Sequence, residues 1–367
     1  MSDLLDERTV NELFPYAPRG YFDHAAVATV PRAVEEAILG VARALSRGTR
    51  GSMGWHELTD PAEALLAADF GVATEAITVL ANTGTAFNSL ARAIPFRQGD
   101  EVLVFADDFP SPRLPWRAIS EASTVEVFLA AGADRTDTLI AAITQSTRVV
   151  SVTHVHATTG ATLDLERLHA ACIAADALLL VDGAQAAGLL PEVAVHSDAY
   201  VSASYKWMLA GFGAAVVSTN ERFDAQAVPG LLGYMNAAPS PRLAVGHSNL
   251  FGLAALAAAA SVRQQLGFDV VYRHTRGLVE HIAHGTAELG YDTWSPAREA
   301  GILSLHVADA AALTEALAER GFTTTHREGR LRISPSVTTT RSDADGLLTA
   351  LADLASVHRA ISAQHNN

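Results

Sequence analysis

The order of apolar and polar runs predicts an α/β protein. It has a large domain built on a doubly wound, mostly parallel sheet, followed by a smaller α+β C-terminal domain. Three observations carry this. From about residue 76, short β-rich runs alternate with helical ones, the pattern of a parallel sheet covered on both faces. The predicted strand ends carry polar or special residues, "NTGT", "DDFP", "DGAQ" and "SYK", and ligands in such sheets bind beyond the carboxyl ends of the strands. After about residue 240 the alternation gives way to long helical stretches and a shorter mixed set.

In chain order, "AITVLANTG" reads as a strand leading into the helical "TAFNSLARAI". "DEVLVFADD", "VEVFLA" and "TRVVSVTHV" follow as strands and "LERLHAACIAA" as a helix. The fully apolar "ALLLV" before Asp182 reads as a strand buried on both faces, then "SDAYVSASYK" and "AAVVST" close the series. "FGLAALAAAASVRQQLGF" and the stretch to "HGTAELG" read as long helices. The small domain follows with "ILSLHVA", the helix "AALTEALAERG", "FTTTH", "RLRISPS" and a last helix through "DADGLLTALADLASVHRAI". The division expected is an arm over residues 1–20, a large domain over 21–245 and a small domain over 246–367.

Composition narrows the function. Hydrophobic residues make up 49% and charged residues 18% of the 367 positions, enough for a sizeable core. A formal charge of −14 argues against a sequence-independent grip on nucleic acid. No apolar run reaches the length of a membrane span, and the acidic start "MSDLLDERTVNELF" lacks the order of a signal peptide, so a cytoplasmic protein is expected. A single cysteine, Cys172, forms no internal disulfide and no cysteine-based metal site, and the 14 histidines are scattered; no metal is expected.

One count stands out. Of the 26 Lys plus Arg, a single residue is lysine, Lys206. Guanidinium does not deprotonate in a protein, whereas an amine can lose its proton and attack a carbonyl. Lys206 therefore marks a place where amine chemistry is required, against the alternative of an ordinary surface lysine that survived by chance. Asp182 lies 24 residues earlier, at the mouth of a buried strand. A carboxylate there is costly unless it meets a cation or a strong donor, such as a protonated pyridine nitrogen; the plain alternative is a cap for the next helix. Gly84 and Thr85 in "ANTGTAFNSLA" stand between strand and helix, where free N–H groups bind a phosphate, or where Thr85 simply caps the helix. Taken together, a phosphate nest, a carboxylate and a unique lysine at neighbouring strand ends point to one cavity.

These residues carry a resemblance. The chain is similar, over roughly residues 20 to 350, to fold-type I pyridoxal-phosphate enzymes of the class V aminotransferase group, which includes cysteine desulfurases, kynureninases and isopenicillin-N-epimerase-like proteins. The matching segments are "YFDHAAVATVP", the block from "GATLDLERL" through "DGAQ" to "SYKW", and "RLRISPSVTTTRSDADGLL". The resemblance implies pyridoxal 5′-phosphate as cofactor, bound covalently by Lys206, with Asp182 keeping the pyridine nitrogen protonated. It implies that Phe109 stacks on the ring and that Gln185 lies near the phenolic oxygen. Gly84, Thr85, Ser204 and Tyr205 would hold the phosphate, with His247 and Ser248 completing that site from the second subunit of a homodimer. Arg332 would grip the substrate's α-carboxylate as a bidentate pair.

Departures from the group matter as well. Ala157 stands where many relatives carry an Asn at the phenolic oxygen; His156 and Thr158 are the substitutes at hand. No cysteine appears in the C-terminal domain, so sulfur transfer by the usual desulfurase route is not expected, and Cys172 is read as a packed helix residue. Trp55 in "GTRGSMGWHELTD" reads equally as a residue reaching the partner's site or as part of a surface loop. Arg327 and Arg330 in "HREGRLR" read as a solvated hairpin turn. The leading expectation is an aminotransferase acting on a small-molecule substrate, an amino acid or amino-acid conjugate. The alternatives are β-elimination from a cysteine S-conjugate, decarboxylation-coupled deamination or epimerisation, and, outside catalysis, a degenerate scaffold.

Overall fold

The computed structural model describes residues 5–130, 133–191, 193–236, 243–293 and 300–365, with side chains described through residue 355. Among the described residues, seven strands form one sheet: β1 (Ile77–Leu80), β2 (Asp100–Phe105), β3 (Ala122–Val127), β4 (Thr147–Thr153), β5 (Leu178–Asp182), β6 (Ala199–Ala203) and β7 (Ala215–Thr219). Their order is β1-β7-β6-β5-β4-β2-β3. Pairing is parallel from β3 through β6, and β7 runs antiparallel to both its neighbours. The mixed α/β architecture and the mostly parallel sheet are those of fold-type I enzymes, as the sequence implies.

Alternation along the central strand shows why the sheet is covered twice. Leu178 and Leu180 of β5 enter one core with Phe87, Leu90 and Trp116, while Leu179 and Val181 enter another with Leu168, Cys172 and Leu256. Successive side chains point to opposite faces, so an unbroken apolar run is what burial on both sides demands. Helix Leu250–Leu266 contributes Ala255, Leu256, Ala259 and Val262 to the second of these cores.

A second sheet comprises β8 (Asp292–Thr293), β9 (Leu303–His306), β10 (Thr325–Arg327) and β11 (Arg330–Ile333), in the order β10-β11-β9-β8. Leu303, Leu305, Leu331 and Ile333 turn to its core. The N-terminal segment ties this unit to the large sheet. Tyr21 and Asp23 bridge to Thr323 and Ser334, Phe22 is buried in the small core, and the Ala28 N–H donates to the Tyr205 carbonyl at 2.9 Å. Among the described residues no helix is long and apolar enough to cross a membrane.

Candidate active site

The ends of β4, β5 and β6 lie side by side in the sheet, and the cleft beyond them is lined by Thr153, Asp182 and Lys206 together with Thr83, Phe109, Ala157, Gln185 and Tyr205. Local chemistry fixes each of these. Asp182 is 2% exposed and in register with Thr153 across β4 and β5. Its backbone is held by N–H donors on either side, from His154 to the Asp182 carbonyl and from Gly183 to Val201. Glycine is required at 183 because a Cβ there would meet the Tyr200 ring at 1.9 Å.

Lys206 follows β6 in a tight turn in which Leu209 N–H donates to the Lys206 carbonyl (2.8 Å) and Ala210 N–H to the Ser204 carbonyl (2.9 Å). Leu209 adopts φ of +61°, an unfavourable conformation for a branched side chain that persists where surrounding structure over-determines it.

Burial governs the electrostatics. Desolvation pulls the Lys206 ammonium down to about 8, with Asp182 opposing that shift and Arg332 and Arg327 adding to it. Burial likewise pushes the Asp182 carboxyl up, against the Ala184 N–H and Lys206. Among the described residues, the Asp182 side chain receives one hydrogen bond, from Ala184 N–H at 2.9 Å. The Lys206 Nζ lies 5.5 Å from the Phe109 ring centroid and 5.8 Å from that of Tyr205, whose ring stacks on exposed Phe212 at 4.3 Å.

Several residues named from sequence have other engagements. Gln185 lines the cleft, but its amide donates to the Ala25 carbonyl (2.9 Å) and accepts from the Trp207 indole (2.8 Å). The helix after β1 begins at Thr83 with Asn82 as its cap, not Thr85; the Asn82 side chain accepts from Thr85 N–H at 2.8 Å. One of the N–H groups expected to meet a phosphate is thereby used, and Gly84 and Thr83 remain in the first turn. The Ser204 hydroxyl donates to the Gly211 carbonyl (2.6 Å), so a phosphate role requires it to turn.

Arg332 is 1% exposed and donates to the Ala157 carbonyl (2.9 Å) and to Asp23 Oδ1 (3.0 Å), leaving Nε without a partner. His247 and Ser248 do not line the cleft of their own chain. Ser248 donates to the Val79 carbonyl at 3.1 Å and His247 packs edge-on against Tyr234. His156 bonds the Asp107 carbonyl and Thr159, and neither it nor Thr158 lines the cleft. Trp55 sits on the short helix Ser52–Thr59 beside His56.

Sequence reasoning missed three features. Thr153 is 3% exposed and its Oγ1 has no partner. Buried Arg135 bridges Asp107 (2.9 Å) and Asp108 (2.8 Å), and Asp108 also accepts from Thr153 N–H at 2.8 Å. Burial pushes the Asp108 carboxyl up to about 7 against the pull of Arg135; both donors require acceptor oxygens, so the geometry selects the ionised form. Asp107, Asp108 and His156 cluster closely enough to hold a cation, but Arg135 already supplies one. Thr83 is the third, lining the cleft with its hydroxyl 3.3 Å from Ser111 Oγ.

The donor set fits a pyridoxal cofactor. A buried amine near neutrality can condense with an aldehyde. A buried carboxylate with a single protein donor suits a protonated ring nitrogen, Phe109 offers an aromatic face, and the orphaned Thr153 hydroxyl offers an unused bond.

The family model for aminotransferase class-V matches residues 20–339. A probable cysteine desulfurase of Pyrococcus abyssi (strain GE5 / Orsay) is 24% identical over 314 residues, 78% of each chain. One of Aeropyrum pernix is 31% identical over 196 residues, 50% of this chain and 48% of that protein. Among solved structures, an apo cysteine desulfurase of Thermococcus onnurineus NA1 superposes with a TM-score of 0.86 at 21% identity, covering 97% of this chain and 100% of the other. The cystine C–S lyase C-DES bound to cysteine persulfide gives 0.84 at 23% identity, covering 93% and 99%. With the match spanning both units and the strand-end residues in place, the chain belongs to the class-V aminotransferase family, and its cofactor is pyridoxal 5′-phosphate.

Proposed function

We propose that the protein acts at the α-amino group of an amino acid or amino-acid conjugate, with transamination as its leading reaction. The observation that carries this reading is the buried pair at the strand ends, Lys206 with its amine brought to about 8 and Asp182 beside it. Bound pyridoxal 5′-phosphate supplies an aldehyde that captures amines and a protonated ring that withdraws electrons from the substrate Cα. Lys206 holds the cofactor covalently and then moves protons at that Cα. Asp182 keeps a proton on the ring nitrogen, and Phe109 covers the ring. Gly84, with the helix dipole behind it, and Thr85, Ser204 and Tyr205 hold the phosphate end. Arg332, aligned by Asp23, takes the α-carboxylate.

Exposed apolar side chains, among them Val30, Phe212, Leu232 and Tyr234, support a homodimer in which His247 and Ser248 of a second copy reach the phosphate. Sedimentation of the cofactor-loaded protein as a monomer would remove that part of the reading.

A second reading is β-elimination at a C–S bond, favoured by the curated relatives that are named desulfurases. A desulfurase of the usual kind uses a protein thiol, and the one cysteine here is packed behind the sheet, where burial pushes its thiol up to about 12.

The separating experiment supplies purified protein with amino acids and cysteine S-conjugates, with and without a keto acid. Transamination requires the acceptor and makes a new amino acid, whereas elimination releases pyruvate and ammonia without one. Lys206→Ala should lose covalent cofactor attachment; full activity in that variant is incompatible with the mechanism.

A further inference from the structure

The hairpin of β10 and β11 turns at Glu328 and Gly329, whose φ values are +49° and +73°. Its register pairs Thr325 with Arg332 and Arg327 with Arg330. Directly opposed residues of an antiparallel pair share a face, so Thr325, Arg327, Arg330 and Arg332 project together. The opposite face carries Leu331 and Ile333 into the small-domain core. The arginine face therefore looks away from that core, and its contacts show where it looks: Thr325 Oγ1 donates to Asp23 Oδ2 (2.5 Å) and Arg332 reaches the carbonyl of cleft-lining Ala157.

Three guanidiniums on one small face are unusual in a chain of net charge −14, because like charges at close range repel. Two have protein counter-ions: Arg332 pairs with Asp23 at 3.0 Å and Arg330 with Glu328 at 3.6 Å. Among the described residues Arg327 has no ion-pair partner, and it is exposed on the cleft side. Its field reaches Lys206, Tyr205 and Arg332, so it belongs to the electrostatics of the site.

We propose that Arg327 is a specificity residue that binds a second, distal carboxylate on the substrate, so that the preferred substrates are dicarboxylic amino acids or conjugates of that charge. This rests on the reading of the cleft given above. One carboxylate anchors at Arg332 and the other at Arg327. Arg327 and Arg332 are diagonal neighbours across β10 and β11, a spacing of roughly 7–8 Å, and flexible arginine stems bring the two forks within the span of a short dicarboxylate. An arginine suits the task because its planar fork takes both carboxylate oxygens.

The test titrates cofactor-loaded protein with glutarate and with glutaramate, its singly charged counterpart, at fixed ionic strength, following the change in cofactor absorbance. Glutarate should bind at least about tenfold more tightly, as expected when one charge-assisted hydrogen-bonded pair is added. That ratio should fall toward one in Arg327→Gln and be partly kept in Arg327→Lys, which retains charge without the fork. No preference in the wild type, no binding of glutarate, or an equal preference in wild type and Arg327→Gln overturns the proposal. A protein that fails to load cofactor at Lys206 instead overturns the reading of the cleft beneath it.

Discussion

The reactivity of Lys206 gives the sharpest test of the site. An amine at about 8 rather than 10.5 is free in about one molecule in ten at pH 7, against about one in three thousand for an ordinary lysine. The roughly 300-fold difference corresponds to about 3 kcal/mol of desolvation not recovered from Asp182. Part of the kinetic gain is given back, because a less basic amine is a weaker nucleophile, so the diagnostic is the shape of the pH profile. The assay mixes cofactor-free protein with pyridoxal 5′-phosphate, traps the adduct with borohydride and quantifies the Lys206 peptide, with Nα-acetyl-lysine run in parallel as the unperturbed amine. The Lys206 rate should climb tenfold per pH unit and level near pH 8, while that of the free amine keeps rising to about pH 10.5.

The sign of a second shift follows from the same charges. Asp182 holds the ammonium up, so Asp182→Asn should move the plateau to lower pH; Arg327→Gln removes a cation that pushes it down and should move the plateau up. A plateau above pH 10, or one unmoved by Asp182→Asn, would refute the argument that burial and this carboxylate set the amine.

Three further outcomes follow from the surroundings. Arg135→Met strands the adjacent carboxylates of Asp107 and Asp108 and should cost on the order of 3–5 kcal/mol at pH 8. The deficit should shrink at pH 5 as Asp108 takes a proton, which urea midpoints at the two pH values will show. Thr153→Val removes a buried hydroxyl with no partner, so it should stabilise the cofactor-free protein by about 1 kcal/mol yet loosen cofactor retention on dialysis; an equal loss in both forms would mean packing alone. Cys172→Ala should leave turnover within about twofold, and native protein should resist iodoacetamide, since the thiol is buried and pushed up to about 12; a large loss would reinstate a thiol relay.

Much of the large sheet was legible because its signals are local. The run before Asp182 is apolar at every position, which burial on both faces explains, and polar residues mark the ends of β1, β2, β5 and β6. The lysine was legible through composition. What stayed hidden is non-local. Nothing in "TRVVSVTHV" tells which of its two threonine side chains meets the cleft; that follows from the β4–β5 register that sets Thr153 against Asp182. Arg135 lies 28 residues from Asp107 in the chain, and their meeting depends on helix Arg135–Ala142 following β3. The cap was readable in principle, since Asn82 precedes Thr85 by three residues.

The hairpin shows how a local reading can be right in form and incomplete in meaning. "HREGRLR" does fold as a tight turn, and Arg327 is solvent-exposed. Yet alternation within β11 decides more than exposure does. Leu331 and Ile333 are committed to the small core, so Arg330 and Arg332 are forced to the opposite side, and the register carries Arg327 there with them. One of these guanidiniums is buried against Asp23, which a solvated turn does not require. The same period-2 rule that buries the core face of a strand thus assigns the opposite face, which here meets Asp23 and the Ala157 carbonyl.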